Sequence, residues 1–109
     1  MNYSVKTIPK FDKQIKQLVK KYPSFKTDFI AFVNSLKENP TQGILLGNSC
    51  YKIRLAITGK NKGKSNGARI ITHCIVSENT AYLISIYDKS EHNTISDNEI
   101  KNLLKEISE

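Results

Sequence analysis

The stretch "CYKIRLAITGKNKGKSNGARIITHCIV", Cys50 to Val76, sets two β-branched and aliphatic runs around a connection built mostly of Gly, Asn, Ser and Lys. "CYKIRLAI" alternates with period two. Tyr51, Ile53, Leu55 and Ile57 therefore fall on one face of a strand, and Cys50, Lys52, Arg54 and Ala56 on the other. "ARIITHCIV" and, after the tight turn "SENT", "TAYLISIY" read as two further strands. Neither gap leaves room for a crossover helix, so the three strands should form an antiparallel meander. The first connection raises a question of its own. A turn needs Gly and Asn, but it does not need Lys60, Lys62 and Lys64, with Arg69 at the start of the next strand.

Upstream, "YSVKTIP" reads as a short edge strand closed by Pro9, because proline cannot donate to a ladder. "KFDKQIKQLVKKYP" places Phe11, Ile15, Leu18, Val19 and Tyr22 at helical spacing, with Lys13, Lys16 and Lys20 on the other side and Pro23 as the stop. A second helix follows, with Ser24 as its expected N-cap and Phe25, Phe29, Phe32, Val33 and Leu36 as its apolar stripe. The two helices should form a hairpin whose stripes are core. Downstream, "ISDNEIKNLLKEI" carries a capping box, Ser96 with Glu99, ahead of Ile100, Leu103, Leu104 and Ile107. The expected class is α+β in the order β-α-α-β-β-β-α, an antiparallel sheet packed on a helical hairpin. A chain of 109 residues fits one domain, residues 1–109.

Charge is unevenly placed along the chain. Of a net +7, the segments 1–26 and 51–69 each carry +6, while 70–109 carries −4. Two basic blocks point to a polyanionic partner, nucleic acid first. Other classes drop out. No apolar run approaches the roughly 20 residues of a membrane span, and "MNYSVKTIPKF" has no secretory core, so a soluble cytoplasmic protein with no membrane partner is expected. Cys50 and Cys74 lie in strand-like runs and read as reduced small hydrophobes. With no C-x-x-C and only His73 and His92, spacing builds no zinc site, and neither metal nor cofactor is expected.

One face of the sheet must cover the helical hairpin. The other carries Lys52 and Arg54, two apart on one strand, with Arg69 opening the neighbouring strand. Lys89 follows the last strand in register with Ser85 and Tyr87, so these side chains can converge if the meander pairs as expected. The cluster holds no acid, which excludes a two-carboxylate glycosidase pair, and no Gly-rich loop leads into a helix through Lys-Ser/Thr, which excludes a nucleotide cradle. Cations beside a tyrosine suit a phosphodiester: Lys and Arg neutralise phosphate, and Tyr87 can stack on a base. Binding alone and binding with cleavage would use the same residues. His73 reads as a packed strand histidine and His92 as a loop histidine with no evident partner.

"GNSCYKIRL", the basic connection, "ARIITHCIV" and "YLISIYDKSE" together resemble the core strands of the RelE/ParE toxin superfamily, nearest to the RelE and HigB-type toxins of type II toxin–antitoxin pairs. The likeness runs from Phe11 to about Ile107. It implies a RelE-like, microbial-ribonuclease-like fold and a metal-independent mRNA interferase. Such an enzyme is a ribosome-dependent endoribonuclease that cuts mRNA in the A site by attack of the 2′-hydroxyl. It also implies a cognate antitoxin protein, the ribosome and mRNA as partners, and operator DNA only through the antitoxin complex. By the same resemblance Lys52 and Arg54 match the base and phosphate contact of the second core strand, Arg69 the arginine that stabilises the transition state, and Lys89 a residue assisting charge stabilisation or proton donation. Tyr87 takes the place of a stacking aromatic nearer the C-terminus, and Lys60, Lys62 and Lys64 form a flap gripping RNA backbone. Two rivals stand beside this reading: a ParE-like gyrase-inhibiting toxin and a non-catalytic nucleic-acid-binding module.

Overall fold

The computed structural model describes residues 2–58, 67–91 and 94–107. Its elements are β1 (Ser4–Thr7), α1 (Pro9–Lys21), α2 (Phe25–Glu38), β2 (Ile44–Gly47), β3 (Cys50–Leu55), β4 (Ala68–Ile75), a 3-10 turn (Val76–Glu78), β5 (Thr80–Asp88) and α3 (Asp97–Leu104). The α+β order holds, with β2 as an added strand. One five-stranded sheet runs β1-β5-β4-β3-β2. β3, β4 and β5 form the expected antiparallel meander, while β1 pairs parallel to β5, so the sheet is mixed.

β2 escaped the alternation argument because "ILLG" has no period. It pairs with β3 through a two-residue turn in which Asn48 and Ser49 both have positive φ, 53° and 58°. That backbone matches the right-handed twist of a hairpin, and Asn is among the residues that tolerate it. Pro9, expected to close β1, instead opens α1, where its missing N–H costs nothing. Ser24 precedes α2 but has helical torsions and makes no cap bond. Its Oγ donates to the Thr58 carbonyl at 2.7 Å, and Asp28 accepts from Thr58 N at 2.9 Å and Oγ1 at 2.8 Å. The first turn of α2 is thus tied to the end of the chain leaving β3.

Phe11 and Leu18 of α1 and Phe25, Phe32 and Leu36 of α2 are buried with Ile53, Ile70, Leu83 and Ile86 in one core. Phe29 joins the hairpin's rings, 5.8 Å from Phe11 between centroids. Each such side chain withdrawn from water contributes about 1.5–3 kcal/mol before entropy is counted. Within this core Thr72 Oγ1 is buried without a hydrogen-bond partner among the described residues. Ile100 and Leu103 of α3 enter the same core, and both arms of the Ser96–Glu99 capping box are made, at 3.0 and 3.1 Å.

β5 is edged in two ways. β1 pairs with Thr80–Leu83 and then ends. Past that point α1 lies along the strand, and Gln14 Oε1 accepts the Ile86 backbone N–H at 3.0 Å. A side chain therefore satisfies a donor that a strand would otherwise take.

Candidate functional site

Register sorts the meander into two sides. Ile53, Ile70 and Ile86 face one another across β3, β4 and β5. One residue along, Arg54 lies opposite Arg69, and Arg69 opposite Tyr87. Because side chains alternate along each strand, this cationic row projects from the opposite face to the isoleucine row. One pleat further is the row Lys52–Ile71–Ser85. At the other end the Lys89 N–H donates to the Gly67 carbonyl at 3.0 Å, which extends the β4–β5 ladder by one step and sets Lys89 beyond Tyr87. Lys52, Arg54, Arg69 and Tyr87 thus belong to one face, with Lys89 at its end.

That face is not bare, contrary to the expectation of a surface left free of the helical hairpin. Ile71 is fully buried, and Arg69 is only 3% exposed. Arg54 is exposed, whereas Lys52, Tyr87 and Lys89 are half-buried. Burial, and secondarily the like charge of Arg54, push the Arg69 pKa down, with Tyr87 opposing. A guanidinium stays charged regardless, so a cation is held in a poorly solvated place beside another cation. Its Nη1 donates to the Ala68 carbonyl at 3.3 Å. Burial raises the Tyr87 pKa, Arg69 lowers it and Glu99 raises it again. The phenol is therefore protonated at neutral pH and within electrostatic reach of both Arg69 and Glu99. An anion entering here would meet at least two cations and a ring, an arrangement suited to binding phosphate and to stabilising charge that grows on it.

Beside this row, along the part of β5 that β1 does not reach, lies a cleft of about 420 Å³ walled by Gln14 and Leu18 of α1, Ser85 and Tyr87 of β5, and Glu99 and Leu103 of α3. Of these, only Tyr87 was singled out by sequence reasoning as a site residue. Glu99 was legible as a capping residue, but its approach to Tyr87 depends on where α3 docks.

The other expected residues fall as follows. Lys60, Lys62 and Lys64, and His92, lie outside the described residues. His73 sits opposite Cys50, with Cys50 Sγ 3.5 Å from His73 Nδ1. Burial lowers its pKa, while the backbone of Asn48 and Ser49 opposes that shift. Burial pushes the Cys50 thiol up to about 11, so it is protonated at neutral pH and no nucleophile. Cys74 pairs with Ala81 on the opposite face from Cys50, and both thiols are buried. Among the described residues no group of three or more His, Cys, Asp or Glu side chains could hold a metal, and no helix is long and apolar enough to cross a membrane.

No family model matches the chain. Its fold, however, is that of solved toxin structures. A mutant of E. coli toxin RelE in the free state superposes with a TM-score of 0.62 at 18% identity, over 98% of this chain and 99% of that one. The isolated E. coli RelE toxin gives 0.57 at 18% identity, over 94% and 97%. A metal-bound toxin from Helicobacter pylori is 24% identical over 82% of this chain and 97% of that one, with a TM-score of 0.49. The two E. coli structures establish a RelE-like fold over nearly the whole length.

Proposed function

We propose that this chain is the toxin of a type II toxin–antitoxin pair and an endoribonuclease that cuts mRNA in the ribosomal A site, in the cytoplasm and without a metal. The observation that carries the proposal is the row Arg54–Arg69–Tyr87, cross-strand neighbours on a RelE-like sheet with Lys52 one pleat away. Arg54 and Arg69 hold the non-bridging oxygens of the scissile phosphate and offset the charge that grows there. Lys52 takes the proton of the 2′-hydroxyl as that oxygen attacks phosphorus. The bond from phosphorus to the 5′ oxygen breaks, and Lys89 supplies the proton that oxygen gains. The products are a 2′,3′-cyclic phosphate and a 5′-hydroxyl. Tyr87 stacks on a base next to the break. Lys60, Lys62 and Lys64 contact RNA backbone, and the basic stretches favour an acidic antitoxin that covers the cationic face. Operator DNA is reached only through that complex.

Inducing the chain in cells and mapping transcript ends tests this reading. Cyclic-phosphate ends within translated codons are expected. Intact transcripts with broken DNA would instead mark a gyrase inhibitor. Binding without turnover, weakening by about 0.7 in log affinity per log unit of salt for each neutralised phosphate of single-stranded RNA, would mark a plain binding module.

A further inference from the structure

We infer that Asp88 is a positioning residue: with Tyr22 of α1 it clamps the turn that follows β5, so that Lys89 is presented to the 5′ oxygen leaving the scissile phosphate. The inference rests on the nuclease reading, which gives Lys89 the proton, and adds the residues that set where that proton is held.

The turn is built around one carboxylate. Asp88 is 4% exposed at the end of β5, and its Oδ1 accepts from Ser90 N at 3.0 Å and from Ser90 Oγ at 2.8 Å. Its carbonyl accepts from Glu91 N at 3.0 Å, which closes a four-residue turn with Lys89 in the second position. Asp is favoured at the first position of such a turn, because its side chain can bond the backbone N–H two residues on. Across the ladder, the Lys89 N–H is held by the Gly67 carbonyl. Gly67 in turn packs directly on the chain leaving β3, where an added Cβ would lie 2.3 Å from the Leu55 carbonyl oxygen. The backbone of Lys89 is thus fixed by its strand neighbour on one side and by Asp88 on the other.

The clamp comes from α1. By alternation Asp88 shares the face of Ile86, toward the helical hairpin, while Lys89 follows Tyr87 on the cationic face. The hydroxyl of Tyr22, the residue that caps the end of α1, donates to Asp88 Oδ2 at 3.4 Å. Lys21, next to it, pairs with Glu91 at the far end of the turn, and its Nζ lies 5.5 Å from the Tyr22 ring centroid. That ion pair is exposed at both ends and contributes little. Asp88 is buried and bonds both the turn and the helix, so a change there is what loosens Lys89. A proton donor must stand within hydrogen-bond reach of the leaving oxygen, and a misplacement of about 1 Å can cost about 100-fold in rate.

The test uses the full chain on ribosomes programmed with a short mRNA, whose A-site linkage is either natural or carries sulfur in place of the 5′ oxygen. When the bond from phosphorus to sulfur breaks, sulfur leaves as a thiolate and needs no proton from the enzyme. On the natural linkage Asp88→Ala should cut about 100-fold more slowly, and Tyr22→Phe about tenfold. On the sulfur linkage both variants, like Lys89→Ala, should come within about threefold of wild type. Asp88→Asn, whose amide oxygen still accepts from Ser90, should keep most of the natural rate. If Asp88→Ala does not fold, Tyr22→Phe, which removes one hydroxyl, decides. Equal losses on the two linkages would mark a merely structural role and overturn the inference. Unchanged natural rates, Asp88→Asn as slow as Asp88→Ala, or no rescue of Lys89→Ala by sulfur would also overturn it, with the nuclease left standing. A wild-type chain that cuts neither linkage overturns the nuclease reading itself, and the inference with it.

Discussion

The two rows Ile53–Ile70–Ile86 and Arg54–Arg69–Tyr87 belong to the same three strands, one residue apart, yet serve opposite ends. The first is buried against the helical hairpin and holds the sheet to it. The second carries the charge on which the proposed function rests. Strand alternation alone accomplishes this division, so each side can be changed with limited effect on the other. The difference teaches that one register serves both rows: the pairing that sets the aliphatic row side by side also fixes which residues stand opposite one another in the cationic row.

The largest effect should come from the cationic row. Arg69→Ala should reduce transcript cleavage by about 100- to 1000-fold, the usual cost of removing one preorganised charge-stabilising donor, while the fold is retained by circular dichroism. A cleavage rate within a factor of three of wild type would break the comparison. Next, Ile70→Ala should lower unfolding free energy by about 2–5 kcal/mol in urea titration, because the fully buried side chain leaves a cavity against the hairpin. At a temperature where the variant is still folded, its cleavage should persist. Thr72→Val goes the other way. Replacing the unpartnered core hydroxyl by a methyl of similar shape should raise stability by about 1 kcal/mol, and a loss of that size would show the hydroxyl to be in use.

The smallest effect concerns His73, on the cationic face but away from its charged row. Its folded-state pKa is lowered, chiefly by burial, so the unfolded chain binds its proton more readily. The stability it preserves is complete above the ordinary value of 6.5 and is lost as pH falls through the folded-state value. His73→Gln should flatten that part of the curve of stability against pH. An identical slope in both proteins would place the dependence elsewhere.

Much of this division was legible beforehand. The period-two run from Cys50 to Ile57 and the short gap at "SENT" imply an antiparallel meander with Lys52 and Arg54 on one side, and the register agrees. The capping box of α3 was equally plain, because both of its partners are local. What was not legible depends on contacts distant in sequence. Ile44 and Leu45 are exposed on β2 and give no alternation, although "GNSC" holds the turn residues that could have marked a hairpin. The register shift in the β4–β5 pairing past Ile71 has no local signal in "YLISIYD". The burial of Arg69 follows from what packs over its face, and the cleft lies along the part of β5 past Leu83, where the pairing with β1 ends and Gln14 takes over the edge. Period describes which side a residue faces; it is silent on what lies above it.

The pairing of β1 with β5 joins Ser4 to Thr80, 76 residues apart in the sequence. During synthesis at roughly 5–20 residues per second, the first strand must wait several seconds before its neighbour leaves the exit tunnel. Tyr87 emerges later still, so the row Arg54–Arg69–Tyr87 is completed only after β1 has its partner.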